Sequence, residues 1–268
     1  MDRRTFDRFR RLVYEKSGIA LSPGKEALVS ARVNRRLRAL GIDNYEAYLR
    51  RVTHDHSGEE IVQLLDAIST NVTSFFREPA HFEFLVQAMA KWQAAGQRRF
   101  RVWSAACSTG EEPYSIAITM LEAAARSADL DVKILATDIS TRVLETCRQG
   151  SYQQERLDGV PPALRDHYFT QDRSQNPLRY AVKNLLSRMI VFKRLNLSAP
   201  PFPMRGPLDV IFCRNVMIYF DKAVRVRLLQ ELWRLLKPGG YLLVGHAESL
   251  TAMMGDFKAV RPSIYVKS

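Results

Sequence analysis

Acidic side chains follow two predicted strands of this sequence, at positions where a bound small molecule would meet them. The strand predicted at 99–104 leads through small residues to Glu111 and Glu112, which begin a helix. The strand predicted at 132–138 ends in Asp138. An acid at this second position of an α/β sheet commonly accepts hydrogen bonds from ribose hydroxyls. Acids at a helix N-terminus repel a pyrophosphate and attract a cation, so the pattern predicts a nucleoside ligand that carries positive charge.

The sequence contains neither of the usual glycine-rich phosphate-binding motifs. G-x-G-x-x-G and G-x-x-x-x-G-K-[ST] are both absent, whereas KPGG stands at 237–240, before a predicted strand. S-adenosylmethionine combines a ribose with a cationic sulfonium and an ammonium group, and it has no phosphate. Gly110, Asp138 and the KPGG segment each also fit local turn chemistry when taken alone. Their combination favours S-adenosylmethionine as the cofactor.

From about residue 99 onward, apolar strand segments alternate with helical segments. The predicted strands lie at 99–104, 132–138, 189–192, 208–213 and 241–245. We expect one helix to run through Arg126, two others to be capped by Ser140 and Asp221, and KPGG to break the chain. This alternation predicts an α/β fold with a doubly wound, mostly parallel sheet. The stretch 151–188 is polar and does not show this alternation of strands and helices, so we expect an inserted subdomain there.

The first seventy residues show helical apolar spacing and no β-type alternation. The apolar positions are Phe6, Phe9, Val13, Val29, Val33, Leu37, Leu40, Ile61, Leu64, Leu65 and Ile68. Ser22 and Pro23 are typical of a helix cap and first turn, and Gly41 is typical of a helix end. This part of the chain is therefore expected to be all-helical.

The composition is that of an ordinary globular protein with a surplus of basic residues. Its 268 residues carry a net charge of +12, which favours nucleic acid, anionic lipid or a carboxylate-rich protein as partner without choosing among them. Three scattered cysteines and the lack of any apolar run near ~18 residues predict a cytoplasmic protein without membrane insertion. No C-x-x-C, H-E-x-x-H or G-x-S-x-G motif is present, so we expect neither a bound metal nor zinc or serine hydrolysis.

Five long segments carry specific strings of residues. They are NVTSFFREPAHF (71–82), SAACSTGEEPYSIAI (104–118), ATDIS (136–140), CRNVMIYFD (213–221) and LKPGGYLLVGHAESL (236–250). Together and in this order they closely resemble the chemotaxis receptor methyltransferases, the CheR family. The resemblance implies a small helical receptor-recognition domain at 1–69 and a class I, Rossmann-like methyltransferase domain at 70–268. It also implies methylation of glutamate side chains on the cytoplasmic domains of methyl-accepting chemotaxis receptors, with S-adenosylhomocysteine as the product of the cofactor.

The resemblance further implies which residues contact the cofactor. The matching residues are Asn71, Thr73, Arg77, Glu112, Asp138, Asn196, Leu197, Arg214 and Asn215. Among them Asp138 corresponds to the ribose acid, and Asn196 and Leu197 correspond to an adenine-side pair. Tyr219 matches a tyrosine near the transferred methyl group.

Methyl transfer to a glutamate requires alignment rather than proton removal. A carboxylate with a reference pKa of about 4.3 is ionised at neutral pH and needs no general base. The enzyme has to align the nucleophile, the methyl carbon and the sulfur. We therefore expect Arg77 and Tyr219 to be the catalytic residues, because they line the transfer centre and orient the substrate carboxylate.

A basic stripe lies opposite the apolar face of the helix predicted between Lys25 and Leu40. Arg32, Arg35 and Arg38 follow one another at helical spacing, and residues 1–38 hold eleven Lys and Arg against four Asp and Glu. Such a stripe is ordinarily a solvated helix face. The resemblance favours a substrate-binding role instead, because these arginines match the receptor-recognition stripe of the family.

One departure from the family concerns the inserted β-subdomain, expected at about 168–195. Some members of the family bind a short receptor tether there. The loop DRSQNP at 172–177 lacks the glycines expected for a tight hairpin in tether-binding members. This difference favours receptor recognition through the N-terminal domain alone.

Two alternative functions are weighed against receptor methylation. A nucleic-acid methyltransferase would suit the charge, but residues 213–216 replace the Asn/Asp-Pro-Pro-aromatic motif that amino methylation typically uses. A non-catalytic cofactor-binding module is the second alternative, and the intact NVTSFFRE segment, Asp138 and Tyr219 argue against it. We expect a monomeric receptor methyltransferase that does not act on nucleic acid.

Overall fold

The N-terminal domain consists of helices. In the computed structural model the described residues are 1–69, 71–124, 130–248, 250 and 257–268. The helices of this domain are α1 (Arg3–Ser17), α2 (Glu26–Leu40), α3 (Tyr45–His54) and α4 (Glu59–Ile68). Their apolar stripes meet in one shared core. The prediction of an all-helical N-terminal part is confirmed.

The start of α2 differs from the prediction. We expected Ser22 to cap the helix and Pro23 to lie in its first turn, but the helix begins at Glu26. Gly24 has a φ of 94°, a left-handed conformation that does not continue into a right-handed helix. The helix therefore starts only after this glycine. Gly41 ends it with a φ of 63°, as predicted.

The second domain alternates strands and helices. The strands are β1 (Arg99–Ser104), β2 (Asp131–Asp138), β3 (Ser151–Gln153), β4 (Phe169–Asp172), β5 (Arg179–Val182), β6 (Ile190–Arg194), β7 (Leu208–Cys213), β8 (Leu236–Val244), β9 (Phe257–Arg261) and β10 (Ile264–Lys267). The helices are α5 (Ala80–Ala94), α6 (Glu111–Ala124), α7 (Thr141–Gln149), α8 (Pro162–Tyr168), α9 (Asn184–Ser187) and α10 (Lys222–Leu235), with short 3₁₀ turns at Gln154–Leu157 and Met217–Tyr219. Ser140 and Asp221 cap α7 and α10, as predicted. The predicted helix end at Arg126 lies outside the described residues.

Seven strands form the main sheet in the order β6-β2-β1-β7-β8-β10-β9. The first five are mutually parallel, and β10 runs antiparallel to both of its neighbours. The predicted doubly wound, mostly parallel sheet is confirmed. The strand order reverses between β1 and β7, and ligands of such sheets bind at the carboxyl ends of the strands beside this switch point.

The fifth predicted strand is longer than the expected range of 241–245. β8 begins at Leu236 and includes the KPGG segment that we expected to break the chain. Its pairing with β7 shifts register, because Leu208 pairs with Leu236 whereas Val210 pairs with Tyr241. The Pro-Gly-Gly residues are thus accommodated as a bulge, where a proline does not remove a ladder hydrogen bond.

The inserted part forms a separate antiparallel sheet in the order β3-β5-β4. This sheet extends from Ser151 to Val182, within the stretch 151–188 where an insertion was expected, but it begins upstream of the narrower range of about 168–195 expected for the family's β-subdomain. At the other end, β6 pairs with β2 and belongs to the main sheet. The difference arises because β3 has only three residues, too few to show a strand pattern in the sequence.

Apolar side chains cover both faces of the main sheet. Phe100 and Val102 of β1 belong to one core, whereas Trp103 belongs to the core on the opposite face. All six residues of β7 are buried. Burial on both faces explains the continuous apolar runs that predicted these strands.

Candidate functional site

A cavity opens at the switch point of the main sheet, against the N-terminal domain. It encloses about 1190 Å³ including its open mouth, and both domains contribute to its walls. Every residue predicted to contact the cofactor or the transfer centre lines this cavity. They are Asn71, Thr73, Arg77, Glu112, Asp138, Asn196, Leu197, Arg214, Asn215 and Tyr219.

Asp138 lies in the cavity wall at the end of β2. Its carboxylate accepts hydrogen bonds from the backbone N–H groups of Ser108 at 2.9 Å and Ser140 at 3.0 Å. The residue is 8% exposed, and burial raises the pKa of Asp138 to about 6. Each carboxylate oxygen retains acceptor capacity beyond these bonds. The residue can therefore accept hydrogen bonds from ribose hydroxyls, as the sequence predicted.

Glu112 and Arg214 form a buried ion pair in the same cavity. Glu112 is the second residue of α6. Its carboxylate accepts hydrogen bonds from Ser104 Oγ at 2.7 Å and Arg214 Nη1 at 3.0 Å. Burial raises the pKa of Glu112, although Arg214 acts in the opposite direction. Opposite charges side by side suit a zwitterionic amino-acid group, whose ammonium and carboxylate each need a partner.

Two buried donors lining the cavity have no hydrogen-bond partner among the described residues. They are Asn71 Nδ2 and Arg214 Nε. A buried polar group without a partner is costly, so such donors suit a ligand that supplies acceptor atoms. S-adenosylmethionine carries a carboxylate, ribose oxygens and ring nitrogens. The residues present therefore fit this cofactor.

The segment 71–79 connects the two domains and contributes to the cavity wall. Ser108 Oγ donates to the carbonyl oxygen of Asn71 at 3.2 Å, which ties the segment to the turn after β1. Arg77 Nη1 donates to the carbonyl oxygen of Val72 at 3.0 Å. These bonds hold the connecting segment beside the strand ends, with Arg77 only partly buried.

The loops that follow β6 and the 3₁₀ turn after β7 contact the N-terminal domain. Asn196 Nδ2 donates to the carbonyl oxygen of Lys16 at 2.9 Å, and Ala20 N donates to that of Tyr219 at 2.8 Å. Lys25 Nζ lies 5.9 Å from the centre of the Tyr219 ring, within cation–π range. Tyr219 therefore belongs both to the cavity wall and to the domain interface.

Asn215 adopts a left-handed conformation with a φ of 56°. Glu248 stabilises this turn, because its carboxylate accepts hydrogen bonds from the backbone N–H groups of Asn215 and Gly245, each at 2.7 Å. A Cβ atom on Gly245 would lie 2.4 Å from Asn215 Nδ2 and 2.9 Å from Glu248 Oε2, so any other residue there would displace these side chains. Sequence reasoning missed Glu248 as a site residue, although it lies within the quoted motif at 236–250.

The three arginines predicted to form one stripe on α2 are placed differently. Arg32 lines the cavity, and its guanidinium donates to the carbonyl oxygens of Ile68 and Ser69 at the end of α4. Burial lowers the pKa of Arg32. Arg35 and Arg38 are exposed. The expected stripe is thus divided, because packing of α2 against α4 brings the first arginine to the cavity.

Glu78 is a second residue that sequence reasoning missed. Its Oε2 lies 3.1 Å from Arg214 Nη2. Among the described residues, Glu78, His81 and His246 have the composition of a metal site, with ligand atoms within 4.8 Å of one another. The Arg214 guanidinium already supplies positive charge to this carboxylate, so we interpret the group as an ion-pair network. The sequence-based expectation that no metal is bound stays a prediction.

Comparison with known protein families accounts for both domains. Residues 4–69 match the CheR methyltransferase all-alpha domain, and residues 71–266 match the CheR methyltransferase SAM-binding domain.

The chain belongs to the CheR methyltransferase family.

Its relatives are similar over nearly their whole length. Chemotaxis protein methyltransferase 2 of Pseudomonas aeruginosa is 40% identical over 263 residues, which cover 98% of this chain and 92% of the relative. The chemotaxis protein methyltransferase of Salmonella typhimurium is 38% identical over 263 residues, 98% of this chain and 90% of the relative. A solved TehB-like SAM-dependent methyltransferase from Corynebacterium glutamicum is 14% identical, with a TM-score of 0.38 over 71% of this chain and 100% of that chain.

As a member of the CheR family, the chain is an S-adenosylmethionine-dependent methyltransferase of chemotaxis with a class I, Rossmann-like catalytic domain. The predicted fold class, enzyme class and cofactor are confirmed. Within the part of the chain that the structure describes, none of the helices combines the length and apolar character needed to cross a membrane.

Proposed function

We propose that this chain transfers methyl groups to glutamate side chains in the cytoplasmic helical domain of methyl-accepting chemotaxis receptors, forming glutamyl methyl esters. The observation that carries the proposal is the cavity between the two domains, which is lined by all ten residues predicted for the cofactor and the transfer centre. The basic N-terminal domain forms part of the cavity wall. A carboxylate-rich substrate that binds this domain would therefore also lie beside the transfer centre.

Different residues of the cavity would bind different parts of the cofactor. When bound, S-adenosylmethionine supplies an electrophilic methyl group on a sulfonium sulfur. Asp138 would accept hydrogen bonds from its ribose, and Asn196 and Leu197 would lie on the adenine side. Glu112 would pair with the ammonium group, and Arg214 would pair with the carboxylate through its unpartnered Nε.

The connecting segment would close the site from another direction. Asn71 Nδ2 is a buried donor without a partner among the described residues, so it can bond to an acceptor of the cofactor. Thr73 and Asn215 line the cavity close in sequence to Arg77 and Arg214. Their amide and hydroxyl groups would orient the cofactor, because each can both donate and accept hydrogen bonds.

Arg77 and Tyr219 would orient the substrate. A glutamate carboxylate is ionised at neutral pH, so it would accept the methyl group that bound S-adenosylmethionine supplies without prior removal of a proton. Arg77 uses one donor on Val72, and the remaining donors of its guanidinium can hold a carboxylate oxygen. The Tyr219 hydroxyl would donate to the same group. Catalysis then consists of alignment and exclusion of water, without a general base.

Arg35 and Arg38 are the residues of α2 that we propose for receptor docking. Both are exposed on the helix face opposite Val29, Val33 and Leu37, which are buried in the domain core. Positive side chains on a rigid helix attract glutamate-rich receptor helices and accelerate their association. Arg32 on the same helix lines the cavity, so docking on α2 would place a receptor beside the transfer centre.

The proposal includes the setting in which the chain acts. We propose a cytoplasmic monomer that recognises receptors through its N-terminal domain and does not act on nucleic acid. The loop at 172–177, between β4 and β5, contains no glycine, which supports recognition without a tether on the small sheet.

Competition between substrates tests the proposal. The purified chain is incubated with S-adenosylmethionine labelled in the methyl group, together with a receptor cytoplasmic fragment, duplex DNA and RNA. Label is expected in the receptor fragment alone, and it should disappear when the acceptor glutamates of the fragment are changed to glutamine. Label in nucleic acid, or equal label in the glutamine fragment, would overturn the proposal.

A further inference from the structure

Arg214 is held from two sides in the cavity wall. Its Nη1 donates to Glu112 at 3.0 Å, and its Nη2 lies 3.1 Å from Glu78 Oε2 and also donates to the carbonyl oxygen of Arg77. The Arg214 side chain is 2% exposed. A planar guanidinium with carboxylates at both ends cannot turn without losing one of them. The two acids therefore define its orientation.

Glu78 is itself fixed to three parts of the site. It lies in the connecting segment immediately before Pro79 and adopts a left-handed conformation with a φ of 59°. Its Oε1 lies 3.4 Å from both Asn215 Nδ2 and the backbone N of His246. These partners belong to the loops after β7 and β8. One carboxylate thus joins the connecting segment to two strand-end loops.

The surroundings of Glu78 make Arg214 its main cationic partner. His81 Nδ1 lies 3.4 Å from Glu78 Oε2, but His81 is fully buried, and burial lowers its pKa to about 4. The His81 ring is therefore neutral at pH 7. Burial acts to raise the pKa of Glu78, yet Arg214 holds that pKa below its usual value. The carboxylate is ionised, and its charge acts on Arg214.

We propose that Glu78 is a positioning residue that keeps Arg214 available to the cofactor. Without Glu78, the guanidinium could pair with Glu112 through two of its three nitrogens, the geometry that arginine and a carboxylate favour. Such two-point pairing would replace the present single hydrogen bond between Arg214 and Glu112, and it would occupy the donors and acceptor oxygens that a zwitterionic amino-acid group needs. The inference rests on the proposed roles of these residues at the cofactor site, and it adds the residue that sets their geometry.

A charge-neutral substitution of the same size tests this role. Glu78→Gln should weaken S-adenosylhomocysteine binding by about tenfold or more in calorimetric titration, as expected for loss of a charged contact. The KM for S-adenosylmethionine should rise by a similar factor, while kcat at saturating cofactor stays within about twofold. Glu78→Asp, which keeps the charge, should recover part of the affinity. A purely structural role would not produce this recovery or this difference between KM and kcat.

The matched control is Glu231→Gln. The Glu231 side chain is 7% exposed, close to the 12% of Glu78, and pairs with Arg234 at 2.6 Å, but it lies on α10 outside the cavity lining. Its substitution should leave S-adenosylhomocysteine affinity unchanged. If Glu78→Gln lowers the thermal midpoint no more than this control does and still binds like the wild type, the positioning role is wrong.

A double-mutant cycle identifies the route of the effect. If Glu78 acts through Arg214, then Glu78→Gln added to Arg214→Met should change S-adenosylhomocysteine affinity by less than about twofold. Additive losses would overturn the inference. The wild-type chain separates this failure from failure of the proposed site, because a wild type that binds no S-adenosylhomocysteine would contradict the cofactor site itself.

Discussion

Asp66 of the N-terminal domain contacts the first residue of a helix in the methyltransferase domain, Thr141. Its carboxylate accepts hydrogen bonds from Thr141 N at 3.1 Å and Thr141 Oγ1 at 3.0 Å, and the residue is 4% exposed. A negative charge at a helix N-terminus is stabilising. Because α7 begins shortly after Asp138, this contact fixes the N-terminal domain beside the cofactor cavity.

Removing the Asp66 carboxylate should affect both stability and cofactor binding. Asp66→Ala should lower the free energy of unfolding by about 1–2 kcal/mol, the range for loss of a capping side chain. Thermal unfolding and titration with S-adenosylhomocysteine measure the two effects. Asp2→Ala is the control, since Asp2 caps α1 through Thr5 N at 2.8 Å, away from the cavity lining. Unchanged cofactor affinity in the Asp66 variant would contradict its role between the domains.

The raised pKa of Asp138 predicts that cofactor binding depends on pH. Above about pH 6 the carboxylate is ionised and accepts hydrogen bonds from a ribose; below that pH it becomes protonated in the free protein. S-adenosylhomocysteine affinity should therefore fall by up to about tenfold per pH unit as the solution becomes more acidic than pH 6. Titrations between pH 5 and 8, values chosen to bracket this pKa of about 6, measure the dependence.

Asp138→Asn provides the control for this pH dependence. Glu112 is another cavity carboxylate whose pKa is raised by burial, so it contributes its own dependence. The asparagine variant should bind more weakly at pH 8 and lose less affinity on acidification than the wild type does. Identical pH profiles for the two proteins would assign the dependence to a group other than Asp138.

The proposed catalytic role of Tyr219 predicts an effect on turnover rather than on cofactor affinity. Tyr219→Phe should lower kcat by about tenfold, because one hydrogen bond to the reacting carboxylate is lost, and should change S-adenosylhomocysteine affinity by less than about twofold. Tyr168→Phe is the control, since the Tyr168 hydroxyl donates to Glu122 at 2.5 Å, outside the cavity lining. Equal turnover in the two variants would remove Tyr219 from the mechanism.

Charge reversal on α2 should impair receptor methylation without affecting the cofactor. Arg35→Glu should raise the KM for a receptor fragment by about tenfold at low salt, and the difference should shrink as salt screens the charges. Arg148→Glu, a reversal at a half-exposed arginine on α7, is the control. A receptor KM that is the same in both variants and insensitive to salt would refute docking on α2.

The sequence predicted the parts of the fold that carry strong local signals. The buried runs of β1, β2 and β7 and the caps Ser140 and Asp221 needed no tertiary information. The strands β9 and β10 were not predicted. Four of the five residues of β9 are exposed, and neither strand is longer than five residues, so the sequence shows no strand pattern there. The KPGG bulge was misread as a chain break, since its pairing depends on the neighbouring strand β7.

The site was predictable where it follows from strand ends. Glu112 lies in the first turn of the helix that follows β1, Asp138 is the last residue of β2, and the switch-point rule brings such residues together. Glu78 and Arg32 depend instead on how distant segments pack. The partner of Glu78 is Arg214, far along the chain, and the position of Arg32 follows from contacts with the end of α4. Neither relationship has a signature in local spacing.

The most direct test of the central claim is to identify the chemical bond that the chain forms. A receptor cytoplasmic fragment is incubated with the chain and S-adenosylmethionine, and its peptides are analysed by mass spectrometry before and after mild alkaline treatment. We predict one added methyl group on specific glutamate side chains, which alkali removes because it is an ester. A methyl group that survives alkali, or a receptor fragment left unmodified while the chain binds S-adenosylhomocysteine, would contradict the account.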